Sequence, residues 1–166
     1  MNDLEIRRIE RKDNVELAII IRQTLTEFGV TYPGTVYFDA VTDSLFELFQ
    51  QENSLYFVAL QNGQLVGGGG IFPTIGLADD TCELVKMYLL ANARGKGFGR
   101  LIISKCLQSA TELGFKKIYL ETMPELQQAL KVYEKFGFKY LNGPLGNSGH
   151  FGCAKWMLKN LEDNGR

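Results

Sequence analysis

The sequence predicts an α/β (α+β) fold, a mixed central β-sheet of about six to seven strands flanked by about four helices. Three observations predict it. Short apolar runs of strand length are interspersed with longer runs at helical spacing. Arg94-Gly95-Lys96-Gly97-Phe98-Gly99 stands between a strand-like run, Cys82 to Leu90, and an amphipathic run, Phe98 to Leu113. A chain of 166 residues, 45% hydrophobic and 22% charged, is one ordinary globular domain with a substantial core.

The elements follow in order. Leu4 to Ile9 alternates as a short strand. Asp13 is placed to cap a helix through Val15, Leu17, Ala18, Ile21 and Leu25 to about Phe28, with Gly29 as the stop. Tyr32-Pro33-Gly34-Thr35 is a turn, and Asp39 to Gln50 carries Val41, Leu45, Leu48 and Phe49 at near-helical spacing. Leu55 to Leu60 and Leu65 to Phe72 flank Asn62-Gly63 and read as a hairpin. The run Gly67 to Gly70 weakens its strand; it marks either a bulge and tight packing or space for a substrate. A strand over roughly Thr81 to Leu90 leads to the loop. The helix behind it sets Leu101, Ile102, Cys106, Ala110 and Leu113 on one face and ends at Gly114. Lys116 to Glu121 is a strand. Thr122-Met123-Pro124-Glu125 has the form of a capping box. It precedes a helix with Leu126, Ala129, Leu130, Tyr133 and Phe136 on one face, ending at Gly137. Phe138 to Leu141 and Phe151 to Leu158 are the last strands, joined by a polar glycine-rich loop.

Strand, glycine-rich turn and helix together present backbone N–H groups to a phosphate. Gly95, Gly97 and Gly99 let a ligand approach closely, Lys96 and Arg100 add positive charge, and Arg94 has fork geometry for an anion. The spacing excludes a mononucleotide P-loop, because Gly99 is followed by Arg100 rather than Lys-Ser/Thr. It excludes the dinucleotide fingerprint, which needs glycine where Arg100 stands. What remains is Arg94-x-x-Gly97-x-Gly99. This resembles the pyrophosphate loop of the GCN5-related N-acetyltransferase (GNAT) superfamily. Ala129-x-x-x-Tyr133-Glu134-Lys135-Phe136-Gly137-Phe138 is similar to the same family's C-terminal segment. The resemblance covers residues 4–160 as a single domain and implies the GNAT fold.

The resemblance implies transfer of an acetyl group from acetyl-CoA, as co-substrate, to a primary amine of a small molecule or peptide in a ternary complex. The pyrophosphate would lie over the backbone of Gly95, Lys96, Gly97, Phe98 and Gly99. The backbones of Met87, Tyr88 and Leu89 would pair with the pantetheine arm, and one N–H there would polarise the thioester carbonyl. Glu83, eleven positions before Arg94, stands where one branch of the family has its general base. By alternation it shares a face with Val85 and Met87, and apolar neighbours would raise its pKa; the alternative is a structural strand glutamate. Tyr133 matches the family's general acid; the alternative is a core tyrosine. Freeing a lysine-like amine at neutral pH costs roughly 4–5 kcal/mol, against about 1 kcal/mol for a peptide α-amine, so a base matters most for alkylamines. Where many members carry a CoA-contacting asparagine this chain has Leu126, which leaves Glu125 or Gln128 as substitutes. A CoA-binding sensor without turnover is the other class of function the same residues allow, and transfer of a longer acyl group is a third.

Several classes are disfavoured. A net charge of -1 implies no general nucleic-acid or membrane electrostatics, and the apolar stretches are too short to span a bilayer. The N-terminal residues do not read as a secretory signal. Cys82, Cys106 and Cys153 read as free thiols of a cytoplasmic protein, and the family resemblance implies a monomer or homodimer. His150 and Cys153 make half a zinc site at best, so no metal is expected. His150 is expected to begin the last strand, either structurally or lining the acceptor pocket. Tyr32, Tyr37, Phe38, Asp39, Asp43 and Glu47 form either an acidic, aromatic lip for a cationic amine or an ordinary amphipathic surface.

Overall fold

Parallel neighbours need a crossover and antiparallel ones do not, and that rule sets where this sheet opens. The computed structural model describes residues 3–162. Strands β1 (Leu4–Arg8), β2 (Leu55–Gln61), β3 (Gln64–Phe72), β4 (Thr81–Leu89), β5 (Lys117–Thr122), β6 (Lys139–Leu141) and β7 (Lys155–Asn160) form one sheet in the order β1-β2-β3-β4-β5-β7-β6. Helices are α1 (Asn14–Glu27), the single turn α2 (Leu45–Leu48), α3 (Phe98–Glu112) and α4 (Gln127–Lys135). All neighbouring strands are antiparallel except β4 and β5, which α3 joins by a crossover.

The two faces bury separate cores. One packs α3 and α4 on the sheet through Phe98, Ile102, Ile103, Cys106, Ala110, Leu130 and Tyr133. The other packs α1 and α2 through Leu17, Ile20, Ile21, Leu25 and Leu45. Each such large side chain, fully buried, contributes about 1.5–3 kcal/mol. The buried stripe of α3 starts at Phe98; Leu101 and Leu113, expected within it, are 45% and 43% exposed. Asn62 and Gly63 take positive φ of 52° and 78° and close the expected β2–β3 hairpin.

Three expectations are corrected, and one open alternative is decided. Residues 39–50 form the 3-10 stretch Ala40–Ser44 and the four-residue α2 rather than one helix. No capping box forms at Thr122, which pairs with Lys155 in the ladder; α4 begins at Gln127 after Leu126, without a side-chain cap. The last strand starts at Lys155, so His150 lies in the preceding loop. The glycine run is tight packing with a bulge. A Cβ at Gly68 would lie 2.5 Å from the Phe57 carbonyl oxygen, and one at Gly70 2.3 Å from that of Leu55. These contacts leave no room for a substrate beside that strand.

Candidate active site

The bulge positions the site. Gly68 pairs with Tyr88 and Gly70 with Val85, so Gly69 faces both Lys86 and Met87. Lys86 takes φ of 52°, rare for a side chain of this kind. Its carbonyl accepts a bond from the buried Tyr56 hydroxyl at 2.8 Å, and its ammonium lies 3.0 Å from Asp39 Oδ2. The extra residue breaks the alternation read from the sequence. Glu83 and Val85 face the α1 side, whereas Met87 packs toward α3, where a Cβ on Gly69 would lie 2.6 Å from its sulfur. Strand β4 pairs with β5 only from Thr81 to Glu83; beyond that the two strands part.

Two cavities occupy the parting. The larger, about 460 Å³, is lined by Met87, Tyr88, Leu89, Arg94, Gly95, Gly97, Gly99, Arg100, Leu126, Gln128 and Tyr133. The smaller, about 40 Å³, is lined by Glu83, Lys86, Glu121, His150 and Cys153. Tyr88 and Leu126 border both. Gln128, not Glu125, lines the larger cavity beside Leu126.

The glycine loop fits an anion. Gly95 and Gly97 take left-handed φ of 75° and 92°, and the space where a Cβ would point is open. Gly99 needs no special backbone, and a Cβ there would make ordinary contact with Leu89 at 3.6 Å. Gly97 caps α3 without a side-chain bond, so the first-turn N–H groups stand free for a ligand. Phe98 contributes only backbone to this loop, since its side chain is in the core, and Lys96 is exposed outside the cavity lining. The fork of Arg94 is occupied. It grips Glu27 at 2.8 and 2.7 Å, its Nε donates to the Leu89 carbonyl at 3.0 Å, and it lies 4.8 Å from the Phe28 ring centre. Arg94 therefore ties α1 to the loop, and the Leu89 carbonyl already has a partner.

Glu83 is 3% exposed, and Thr74 donates to its Oε1 at 2.6 Å. Burial raises its pKa to about 7, aided by Glu121 and opposed by the Thr74 bond, His150 and Lys86. Tyr133 is buried against Phe138, with ring centres 5.8 Å apart, and borders the larger cavity. Burial pushes its phenol up, with the Cys106 thiol adding to the effect. The phenol therefore stays protonated across the working range.

The structure adds Glu121 and Lys86, which sequence reasoning missed, and places the expected Asp39 beside them. Glu121 accepts from the Tyr119 hydroxyl at 2.9 Å and from the Ser148 hydroxyl. Asp39 holds Lys86 and, at 3.1 Å, His150 Nε2. Burial alone would raise Asp39, but the His150 and Lys86 contacts override it and hold its carboxyl well below the usual range. A glutamate ending a strand gave no signal of its own; only the register of Glu83 with Tyr119 brings Glu121 beside it. Of the expected acidic lip only Asp39 reaches this cluster. Asp43 is forked by Arg22 at 2.6 and 2.9 Å, and Glu47 is bound by Asn14 and Arg11. Among the described residues no three His, Cys, Asp or Glu side chains are grouped to hold a metal, and no helix is long and apolar enough to cross a membrane.

A model of the Acetyltransferase (GNAT) family matches residues 21–138. An N-acetyltransferase of Escherichia coli K12, YjgM, is 40% identical over 157 residues, 94% of each chain. A GNAT acetyltransferase from Staphylococcus aureus superposes with a TM-score of 0.83 at 21% identity, covering 96% of this chain and 99% of the other. The PaiA N-acetyltransferase of Thermoplasma acidophilum, solved with coenzyme A, gives 0.74 at 18% identity over 95% and 99%. The chain belongs to the GNAT family of acetyltransferases. Its activity is N-acetyl transfer.

Proposed function

We propose that this enzyme moves the acetyl group of acetyl-CoA directly to a primary amine of a small molecule or peptide, with both substrates bound together. The observation that carries this is the meeting of two cavities at Tyr88 and Leu126, with Glu83 on one side and Tyr133 on the other. The larger cavity suits the CoA arm. Its residues are Met87, Tyr88, Leu89, Arg94, Gly95, Gly97, Gly99 and Arg100, with backbone from Lys96 and Phe98, and a protein of the same fold was solved in complex with coenzyme A. Acetyl-CoA, when bound, supplies an activated thioester carbonyl.

The chain's residues then divide the proton work. Glu83, poised near neutral, takes the proton of the amine as its nitrogen forms the new C–N bond. The C–S bond breaks, and the Tyr133 hydroxyl donates a hydrogen bond to the departing thiolate, which takes its proton from solvent as CoA leaves. An acyl-enzyme route is disfavoured. Cys153 is the cysteine in the smaller cavity, and burial with the nearby carboxylates pushes its thiol up to about 12.

The test is two-substrate kinetics, following thiol release across a pooled amine library. Intersecting double-reciprocal lines are expected. Parallel lines would point to a covalent intermediate, and CoA binding without release for any amine would favour a silent sensor.

A further inference from the structure

Resting on the transfer reading above, the smaller cavity carries information on which amine enters. We propose that the acceptor is a primary alkylammonium on an unbranched carbon, and that Glu121 is the residue that anchors it. Glu83 pairs with Tyr119 across the parallel rung, and Glu121 lies two residues further on the same face, so both carboxyl groups reach one cavity.

Both have acceptor capacity to spare. Thr74 binds one Glu83 oxygen; the other has no partner among the described residues. Among the described residues no sealed polar side-chain atom is left unsatisfied, so that oxygen opens onto the cavity although Glu83 is 3% exposed. Each Glu121 oxygen takes a single donor, Tyr119 or Ser148, while a carboxylate offers about four acceptor positions.

The charge balance selects a cation. Lys86 and His150 also line the cavity, but their ion-pair contacts, at 3.0 and 3.1 Å, are to Asp39, so among the described residues neither Glu83 nor Glu121 has an ion-pair partner. An ammonium relieves their mutual repulsion, whereas an acceptor carboxylate beside the amine adds to it. The volume selects further. At ~10–15 Å³ for each water-sized group, about 40 Å³ takes roughly three atoms of an entering chain. A nitrogen and its methylene enter; the branched α-carbon of an amino acid or peptide N-terminus does not.

The size is fixed from outside by the segment 142–154. The Leu145 N–H donates to the Tyr119 hydroxyl at 3.0 Å, the Asn147 N–H to the Ile75 carbonyl at 2.7 Å, and the Gly152 N–H to the Gly34 carbonyl at 2.9 Å.

The experiment compares acetyl transfer to two groups of amines. One holds 1,4-diaminobutane and Nα-acetyl-lysine amide; the other holds alanine, serine and a lysine-free peptide with a free N-terminus. The first group is expected to exceed the second by about 100-fold in kcat/KM. Glu121→Gln is expected to raise the KM of the active amine about 10- to 100-fold, as for a lost charged hydrogen bond, with CoA affinity unchanged. Glu121→Asp restores part of the loss. Release with the α-amines alone, or an unchanged amine KM in Glu121→Gln, overturns the proposal while leaving acetyl transfer intact. CoA binding with no release from either group overturns both. Should Glu121→Gln fail to fold, the comparison between groups on the unaltered enzyme still decides the acceptor class.

Discussion

Glu83 combines the two properties a base at neutral pH needs, a raised pKa and an open oxygen in a cavity. Its place among apolar strand residues was legible in the sequence, which left its burial open, and Met87 was assigned to the wrong face. Glu83→Gln keeps the shape and removes the base, so kcat is expected to fall about 10²-fold or more. The pH profile separates this from a structural effect. Activity of the unaltered enzyme rises as Glu83 deprotonates through about 7. That limb disappears in Glu83→Gln, while the limb set by the amine itself persists. In the proposed mechanism Tyr133 acts later, on the sulfur. Tyr133→Phe keeps the packing on Phe138 and is expected to lower kcat about 10- to 100-fold with CoA affinity unchanged. Titration calorimetry with CoA beside steady-state rates checks both halves, and retained kcat removes Tyr133 from the mechanism.

Elements were legible where local chemistry alone decides them. The Asn62-Gly63 hairpin, the α3 stripe and the glycine loop are each set by residues within a few positions of one another. What escaped depends on partners distant in sequence. The Lys86 bulge is held by Tyr56 and Asp39, thirty and forty-seven positions away. The failed capping box at Thr122 reflects its capture by β7. The short α2 reflects Asn14, whose Oδ1 accepts from the Phe46 N–H at 2.8 Å and fixes the turn against α1. The two glycine-rich elements respond differently to the same change. Gly97→Ala puts a side chain on a left-handed residue facing open space, costing roughly 1–2 kcal/mol locally, and weakens CoA binding if the loop shifts to relieve it. Gly68→Ala drives a methyl into the Phe57 carbonyl and the Tyr56 ring, so the sheet itself must move. A larger fall in Tm for Gly68→Ala than for Gly97→Ala, with the larger loss of CoA affinity per degree in Gly97→Ala, is expected from thermal melts with and without CoA.

At the scale of the whole molecule, the buried charges couple catalysis to stability, and their signs differ. The Glu83 carboxyl is raised in the fold from 4.5 to about 7. Between those values the native state holds a proton that the unfolded chain has lost, so its contribution is full below about 4.5 and is lost as pH rises through 7. The integrated change is about 3 kcal/mol, at 1.36 kcal/mol per pH unit. Asp39 runs the other way. Its carboxyl is held low by His150 and Lys86, so its contribution is present above the ordinary carboxylate range and is lost only on acidification below it. The two windows barely overlap, which makes Glu83 separable. Denaturant unfolding from pH 5 to 8 is therefore expected to show stability declining through this range in the unaltered enzyme and a flatter profile in Glu83→Gln, with the variant the more stable of the two above pH 7. Such a variant, more stable yet slower, locates the cost of holding a base ready in a dry cavity. Equal slopes in the two proteins would mean that Glu83 is solvated when folded, and its role as the base would fall with its raised pKa.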